Sequence, residues 1–192
     1  MPLVDAYRVS ARKLREFIEI VYSKGIPACT VSISNKRNLG RLPQELSAIS
    51  LGIEYLITSE IPEITRIWKT DVIVVGDKTL LSQPSMTAIE SQRSPKANTR
   101  LYLLIWYSSS EELQRACEQR FDVHKPLANF CMPETVDLVI RTGGAKTLSD
   151  FVPVQSAYAR LVFLDNLFND LEAFEFEQII DSILSEQFRY GV

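Results

Sequence analysis

At 192 residues, 46% hydrophobic and 23% charged, the chain has the length of one domain with a single large core. A net charge of −3 supplies no basic patch of the kind that nucleic-acid binding uses, and no apolar run reaches the length of a membrane span. Three widely spaced cysteines and one histidine argue against a disulfide framework, a zinc site or a serine–histidine–aspartate triad; with no signal peptide at its start, the chain reads as cytoplasmic.

Leu14, Phe17, Ile18, Val21 and Tyr22 recur at helical spacing, a helix with one buried stripe that Lys24, Gly25 and Pro27 bring to an end. Ala28 to Ile33 reads as a short strand, with a polar loop from Arg37 to Gly40 beyond it. A long helix is predicted from Pro43 to Glu60, with Pro62 as its stop. Val72 to Val75 is the next strand, Pro84 falls inside or just before the next helix, and Ser91 to Asn98 is a polar linker. Leu101 to Trp106 is a strand and Glu111 to Glu118 a helix, while Gln119 to Glu134 has no clear period. Strands follow at Val136 to Ile140 and Arg160 to Leu164, and Phe176, Ile179, Ile180, Ile183, Leu184 and Phe188 stripe a closing helix. The alternating periods predict one α/β domain over residues 1–192, with a mainly parallel central sheet flanked by helices.

The segment from Asp137 to Phe163 carries the chemistry. Its strand ends in Arg141-Thr142-Gly143-Gly144, with Lys146, Thr147 and Ser149 close behind. Open α/β sheets place ligands at the carboxyl ends of their strands. Glycines there let backbone N–H groups approach an oxyanion, and a guanidinium adds a two-pronged contact. An ordinary strand-to-helix loop with one surface arginine is an equal reading of those few residues.

The longer string, DLVIRTGGAKTLSDFVPVQSAYARLVF, resembles the carboxyl-terminal signature of the cis-prenyltransferase (undecaprenyl diphosphate synthase) family. Its Gly-Gly-Ala turn and Phe151-Val152-Pro153 look most like the cyclolavandulyl diphosphate synthase branch. Upstream, Val72 to Asp77 resembles the family's strand ending in Gly-Asp, and Asn98 to Tyr107 its Asn-Thr-x-Leu strand. Asp5-Ala6-Tyr7 and Asn38-Leu39-Gly40-Arg41 resemble further elements of the branch, and Arg189-Tyr190-Gly191 matches the family's terminal Arg-x-Gly. The resemblance implies diphosphate binding by Arg141, Gly143, Gly144, Lys146 and Ser149. It places Asn38 and Arg41 near the reacting allylic group, the only catalytic candidates. Arg189 and Gly191 would reach into a partner's active site.

The departures from the family are as informative. By the resemblance, the family's opening strand and phosphate loop, with its catalytic aspartate, would fall just ahead of Met1-Pro2-Leu3-Val4 and are expected to be missing. Ala145 stands for a glutamate, Thr147 for the second arginine of the diphosphate site, and Arg160 for a metal-binding glutamate. A cation at Arg160 would repel a metal, so no cofactor is expected on this chain, and Mg²⁺ is expected in an active partner. The resemblance therefore implies a non-catalytic subunit, inactive alone, paired with an intact cis-prenyltransferase homologue in a heterodimer or heterotetramer, or otherwise a homodimer. The alternative is an active but unorthodox enzyme of the cyclolavandulyl type, coupling or cyclising prenyl diphosphates.

Overall fold

The computed structural model describes residues 2–119 and 124–185. The first described element is α1 (Leu3–Ser23), whose predicted stripe is buried throughout, from Ala11 and Leu14 to Val21 and Tyr22. Gly25 adopts φ +78°, a left-handed conformation that costs a glycine little, and so turns the chain from α1 toward the first strand. There follow β1 (Ala28–Ser32), α2 (Pro43–Tyr55), α3 (Ile61–Trp68), β2 (Thr70–Gly76), α4 (Gln83–Ser91) and β3 (Thr99–Ile105). The remainder is α5 (Ser109–Cys117), β4 (Leu138–Arg141), β5 (Arg160–Phe163) and α6 (Ala173–Ser185).

Every strand pairing is parallel. β3 lies between β1 and β2, with Leu101 opposite both Cys29 and Val72. β4 pairs with β5, Leu138 facing Arg160. This is the predicted α/β domain with a parallel sheet and flanking helices, but the sheet comes in two pieces of three and two strands.

The period of two along β3 explains how one strand serves two cores. Leu101, Leu103 and Ile105 enter the larger core with α1, α2, α3 and α6, while Tyr102 and Leu104 enter a smaller one with Val75, Met132 and Val152. β1 and β4 both lean on the larger core, through Cys29, Val31 and Ile33 and through Leu138 and Ile140. Phe17 of α1 stacks on Phe176 of α6 at 4.3 Å between centroids, which ties the closing helix to the first. At 70–76 the strand end is equally constrained. Gly76 has φ +129°, and a Cβ there would lie 2.0 Å from the Ile105 carbonyl oxygen.

One expectation is corrected. Pro62 does not stop the second helix, because residues 56–60 form a π-turn and α3 continues directly from it. The wider turn routes the Ile61 N–H to Leu56 and gives the proline ring room next to a backbone that would otherwise clash. The segment without a period, over its described part 124–134, forms neither helix nor strand. It is pinned instead by side chains, such as Thr30 Oγ1 donating to Met132 Sδ at 3.1 Å.

Candidate functional site

Two loops carry the candidate residues, and hydrogen bonds bring both to the carboxyl end of β3. Lys36 N donates to the Tyr107 carbonyl at 2.9 Å, which seats the 35–41 loop there. Two residues on, Ser109 N donates to Asp150 Oδ2 at 3.2 Å and its hydroxyl to Asp150 Oδ1, which draws in the loop that follows β4. The site therefore lies at the carboxyl ends of parallel strands, where such folds bind ligands.

Arg141 is the last residue of β4 and is half-buried. Its Nε is closed off from solvent with no hydrogen-bond partner among the described residues. A buried donor left unpaired costs about 1–3 kcal/mol, more when charged, so an anion at this guanidinium would repay a standing penalty. Lys146, Thr147 and Ser149 are exposed beyond it, and the Thr147 and Ser149 hydroxyls share a 3.0 Å hydrogen bond.

The glycines act differently from the expectation of free amides. Gly143 (φ +86°) and Gly144 (φ +72°) make a left-handed turn. Their N–H groups donate to the carbonyls of Asn166 at 2.8 Å and Leu164 at 3.0 Å, so both are spent on holding the turn to the chain after β5. The turn is thus built to aim Arg141 and Lys146 rather than to cradle an oxyanion with those two amides. Ser149 (φ +46°) and Asp150 (φ +71°) extend the left-handed backbone into non-glycine residues, a conformation that persists only when the surroundings enforce it. The Asp150–Ser109 clamp supplies that enforcement.

In the other loop, Asn38 Oδ1 accepts from Asn35 N at 2.9 Å and closes the 3₁₀ turn over 36–40, which is a structural use of that carboxamide oxygen. Arg37 and Arg41 are exposed. Lys36 is bound by two carboxylates, Glu111 at 2.7 Å and Asp77 at 3.4 Å. The Thr79 hydroxyl holds Asp77 below the usual carboxylate range, with help from the Thr79 amide and Lys36. A cavity of about 270 Å³ opens beside this group, lined by Gly76, Asp77, Tyr107, Glu111 and Arg115. Tyr7 lies elsewhere, packed on Gly52 of α2. Arg160 opens β5 on an exposed surface, and Arg189 and Gly191 lie outside the described residues.

Asp150 is the functional-loop residue that motif reading passed over. Its partner Ser109 is 41 residues away, so no local pattern announces the pair.

The fold is thus a parallel α/β domain with Arg141 and Lys146 in a turn at the carboxyl ends of its strands. A family profile described as "Putative undecaprenyl diphosphate synthase" matches residues 1–191, and the chain belongs to that prenyltransferase family. It is 27% identical over 209 residues to the ditrans,polycis-undecaprenyl-diphosphate synthase ((2E,6E)-farnesyl-diphosphate specific) of Xanthomonas axonopodis pv. citri, covering all of this chain and 81% of that one. It is 28% identical to the Escherichia coli K12 enzyme of the same name, with 96% and 80% covered. A crystal structure of lavandulyl diphosphate synthase from Lavandula x intermedia shares the fold with a TM-score of 0.87 at 18% identity, covering 98% and 89% of the two chains. So does that of a probable undecaprenyl diphosphate synthase from Campylobacter jejuni, at 0.82 and 22% identity, covering 96% and 92%.

Family membership raises the question of where a divalent metal would be held. Among the described residues no cluster of three His, Cys, Asp or Glu side chains could hold a metal ion. The turn itself presents Arg141 and Lys146, with Asp165 the carboxylate nearest Gly144, 3.7 Å from where a Cβ would sit.

Proposed function

We propose that this chain binds a prenyl diphosphate without turning it over alone, and serves as the non-catalytic subunit of a heteromeric isoprenyl diphosphate or terpene synthase. The observation that supports the binding half is the place of Arg141 at the carboxyl end of β4 with the exposed Lys146 beyond it. The guanidinium would offer a diphosphate a two-pronged contact, and Lys146 would add a point charge without a planar fork. Ala145 and Arg160, standing where the family has glutamates, carry the non-catalytic half. Ionising an allylic diphosphate needs its leaving group neutralised, usually by a divalent metal, and Mg²⁺ is assigned to an intact cis-prenyltransferase partner.

Exposed apolar side chains support an assembly. Tyr158 is 89% exposed, Leu167 62%, Phe174 60% and Leu161 43%, all after Ser149 or at the start of α6. Large exposed apolar groups are what protein interfaces cover, and Leu42, 70% exposed, is another one well ahead of this region. Among the described residues no helix is long and apolar enough to cross a membrane.

Calorimetric titration of dimethylallyl diphosphate tests the binding half. Arg141→Ala should weaken binding by about tenfold to a hundredfold, the equivalent of a charge-assisted hydrogen bond. The purified chain should show negligible Mg²⁺-dependent transfer between dimethylallyl, geranyl or farnesyl diphosphate and isopentenyl diphosphate. A robust rate for the chain alone would install the second reading, an active coupling or cyclising enzyme of the cyclolavandulyl type. That reading draws on the convergence of the Asn38–Arg41 loop and the Arg141 turn at one end of β3.

A further inference from the structure

The loop from Gly143 to Val152 is pinned at its two ends. At its start the Gly143 and Gly144 amides donate to Asn166 and Leu164. At its end Asp150 accepts from the N–H and the hydroxyl of Ser109, and Val152 is completely buried in the smaller core with Tyr107 and Met132. Between these pins, among the described residues, no backbone N–H from Ala145 to Ser149 donates to a backbone carbonyl. Ala145, Lys146, Thr147 and Ser149 are exposed. The hydrogen bonds within the stretch, Phe151 N to the Leu148 carbonyl and the Thr147 hydroxyl with that of Ser149, tie it only to itself. It is an arm that carries Lys146 and Ser149 out from the fold.

The far pin is under strain. Ser149, Asp150 and Val152 have φ of +46°, +71° and +28°. Left-handed backbone is unfavourable for a non-glycine residue, most of all for a β-branched one such as Val152. Such backbone relaxes unless its surroundings hold it, and it gathers at ligand clamps and switches. Two holds are visible. Burial of the Val152 side chain fixes one end of the strained stretch. The other hold is the Asp150 carboxylate on Ser109, the first residue of α5, whose N–H no carbonyl of its own helix can take. A negative charge is also favoured at that end of a helix.

We propose that Asp150 is a positioning residue for the anion site. Through Ser109 it latches the arm in the strained form that keeps Lys146 and Ser149 in place behind Arg141, and release of the latch lets the stretch relax and the arm open. The latched form is the one that takes a diphosphate, a step that rests on the diphosphate reading of the Arg141 turn. Latch and diphosphate then favour the same form of the arm, so each strengthens the other.

Limited digestion of the intact chain by trypsin reads the latch, because Lys146 lies on the arm and cleavage after it follows the open fraction. The exposed Lys96, between α4 and β3, is the internal reference for global opening. Asp150→Ala loses both bonds and should speed cleavage after Lys146 by about tenfold or more relative to Lys96. Ser109→Ala keeps the N–H bond and should do less, while Ser109→Thr keeps both donors and should match the wild type. The double variant Asp150→Ala with Ser109→Ala should match Asp150→Ala alone. Affinity for dimethylallyl diphosphate should fall in the same order, and the ligand should protect Lys146 in the wild type. Unchanged cleavage after Lys146 overturns the proposal. So does an equal rise at Lys96, which would make the pair a support of the whole fold. Effects that multiply in the double variant would mean that the two residues act apart, with the same result. An arm that opens with no loss of diphosphate affinity would separate it from the site and overturn the positioning role. A wild type that takes no diphosphate would remove the binding reading and the positioning role with it, and the cleavage ratios would distinguish that failure from failure of the latch.

Discussion

Arg141 and Asp150 show how single side chains acquire their roles from distant parts of the chain. The place of Arg141 at a strand end was legible because a run of apolar residues ends in Arg-Thr-Gly-Gly. Its buried orphan donor was not, because burial depends on the packing of β4 against a core that the motif does not contain. The spent amides of Gly143 and Gly144 follow the same logic, since their acceptors lie at Leu164 and Asn166. Cysteine reactivity offers a direct check on these local environments. Burial pushes the Cys29 thiol up to about 12, and it raises Cys131 as well, with Arg115 opposing. Cys117 is exposed. The thiolate is the reacting form, so a raised thiol reacts slowly. Titration with a chromogenic disulfide should therefore show Cys117 reacting first and Cys29 last, unless denaturant is added. Rapid labelling of Cys29 in the folded chain would mean that β1 is not packed as described.

Among elements, the clearest signals were periodic ones. The α1 stripe and the β3 alternation were read from the sequence because each repeats within a few residues and each meets a continuous core. The bridge between α2 and α3 was misread for an equally physical reason. Pro62 breaks a helix of ideal pitch, but a π-turn relieves it, and a π-turn leaves no composition mark. The separation of β4 and β5 from the other strands was also illegible, because edge pairing is non-local. Gly52 shows a helix contact that tolerates no enlargement. A Cβ there would lie 2.6 Å from Tyr7 Cβ, so α1 and α2 touch backbone to side chain. Gly52→Ala gains up to about 1 kcal/mol of helix propensity. Forcing the helices apart costs about 1–3 kcal/mol, which is the larger effect. The thermal midpoint should fall by several degrees, given about 2–4 °C per kcal/mol at this size. Tyr7→Ala should not rescue it, because alanine keeps the offending Cβ. A rise in midpoint for Gly52→Ala would refute the close contact.

At the scale of the whole molecule, the proposed assembly is open to direct measurement. Sedimentation at micromolar concentration should find a dimer, and Leu167→Ser with Tyr158→Ser should shift it toward monomer if the surface after Ser149 forms the contact. A wild-type monomer would contradict the assembly. The tail gives the sharper test. Arg189 belongs to a terminal Arg-x-Gly that the family resemblance assigns to a partner's diphosphate site. A charge-assisted contact to phosphate is worth about 1.5–3 kcal/mol, and about 1.4 kcal/mol of lost transition-state stabilisation is already tenfold in rate. In a complex with an intact cis-prenyltransferase, Arg189→Ala should thus lower turnover by about tenfold or more. Assembly should be intact by sedimentation, because one terminal residue buries little area. Arg160→Ala makes the contrasting case. It alters this chain's own strand β5, where the family resemblance places a metal-binding glutamate, and turnover at the partner's centre should hardly change. If Arg160→Ala instead abolishes activity and Arg189→Ala does nothing, the reacting centre belongs to this chain, and the non-catalytic assignment falls.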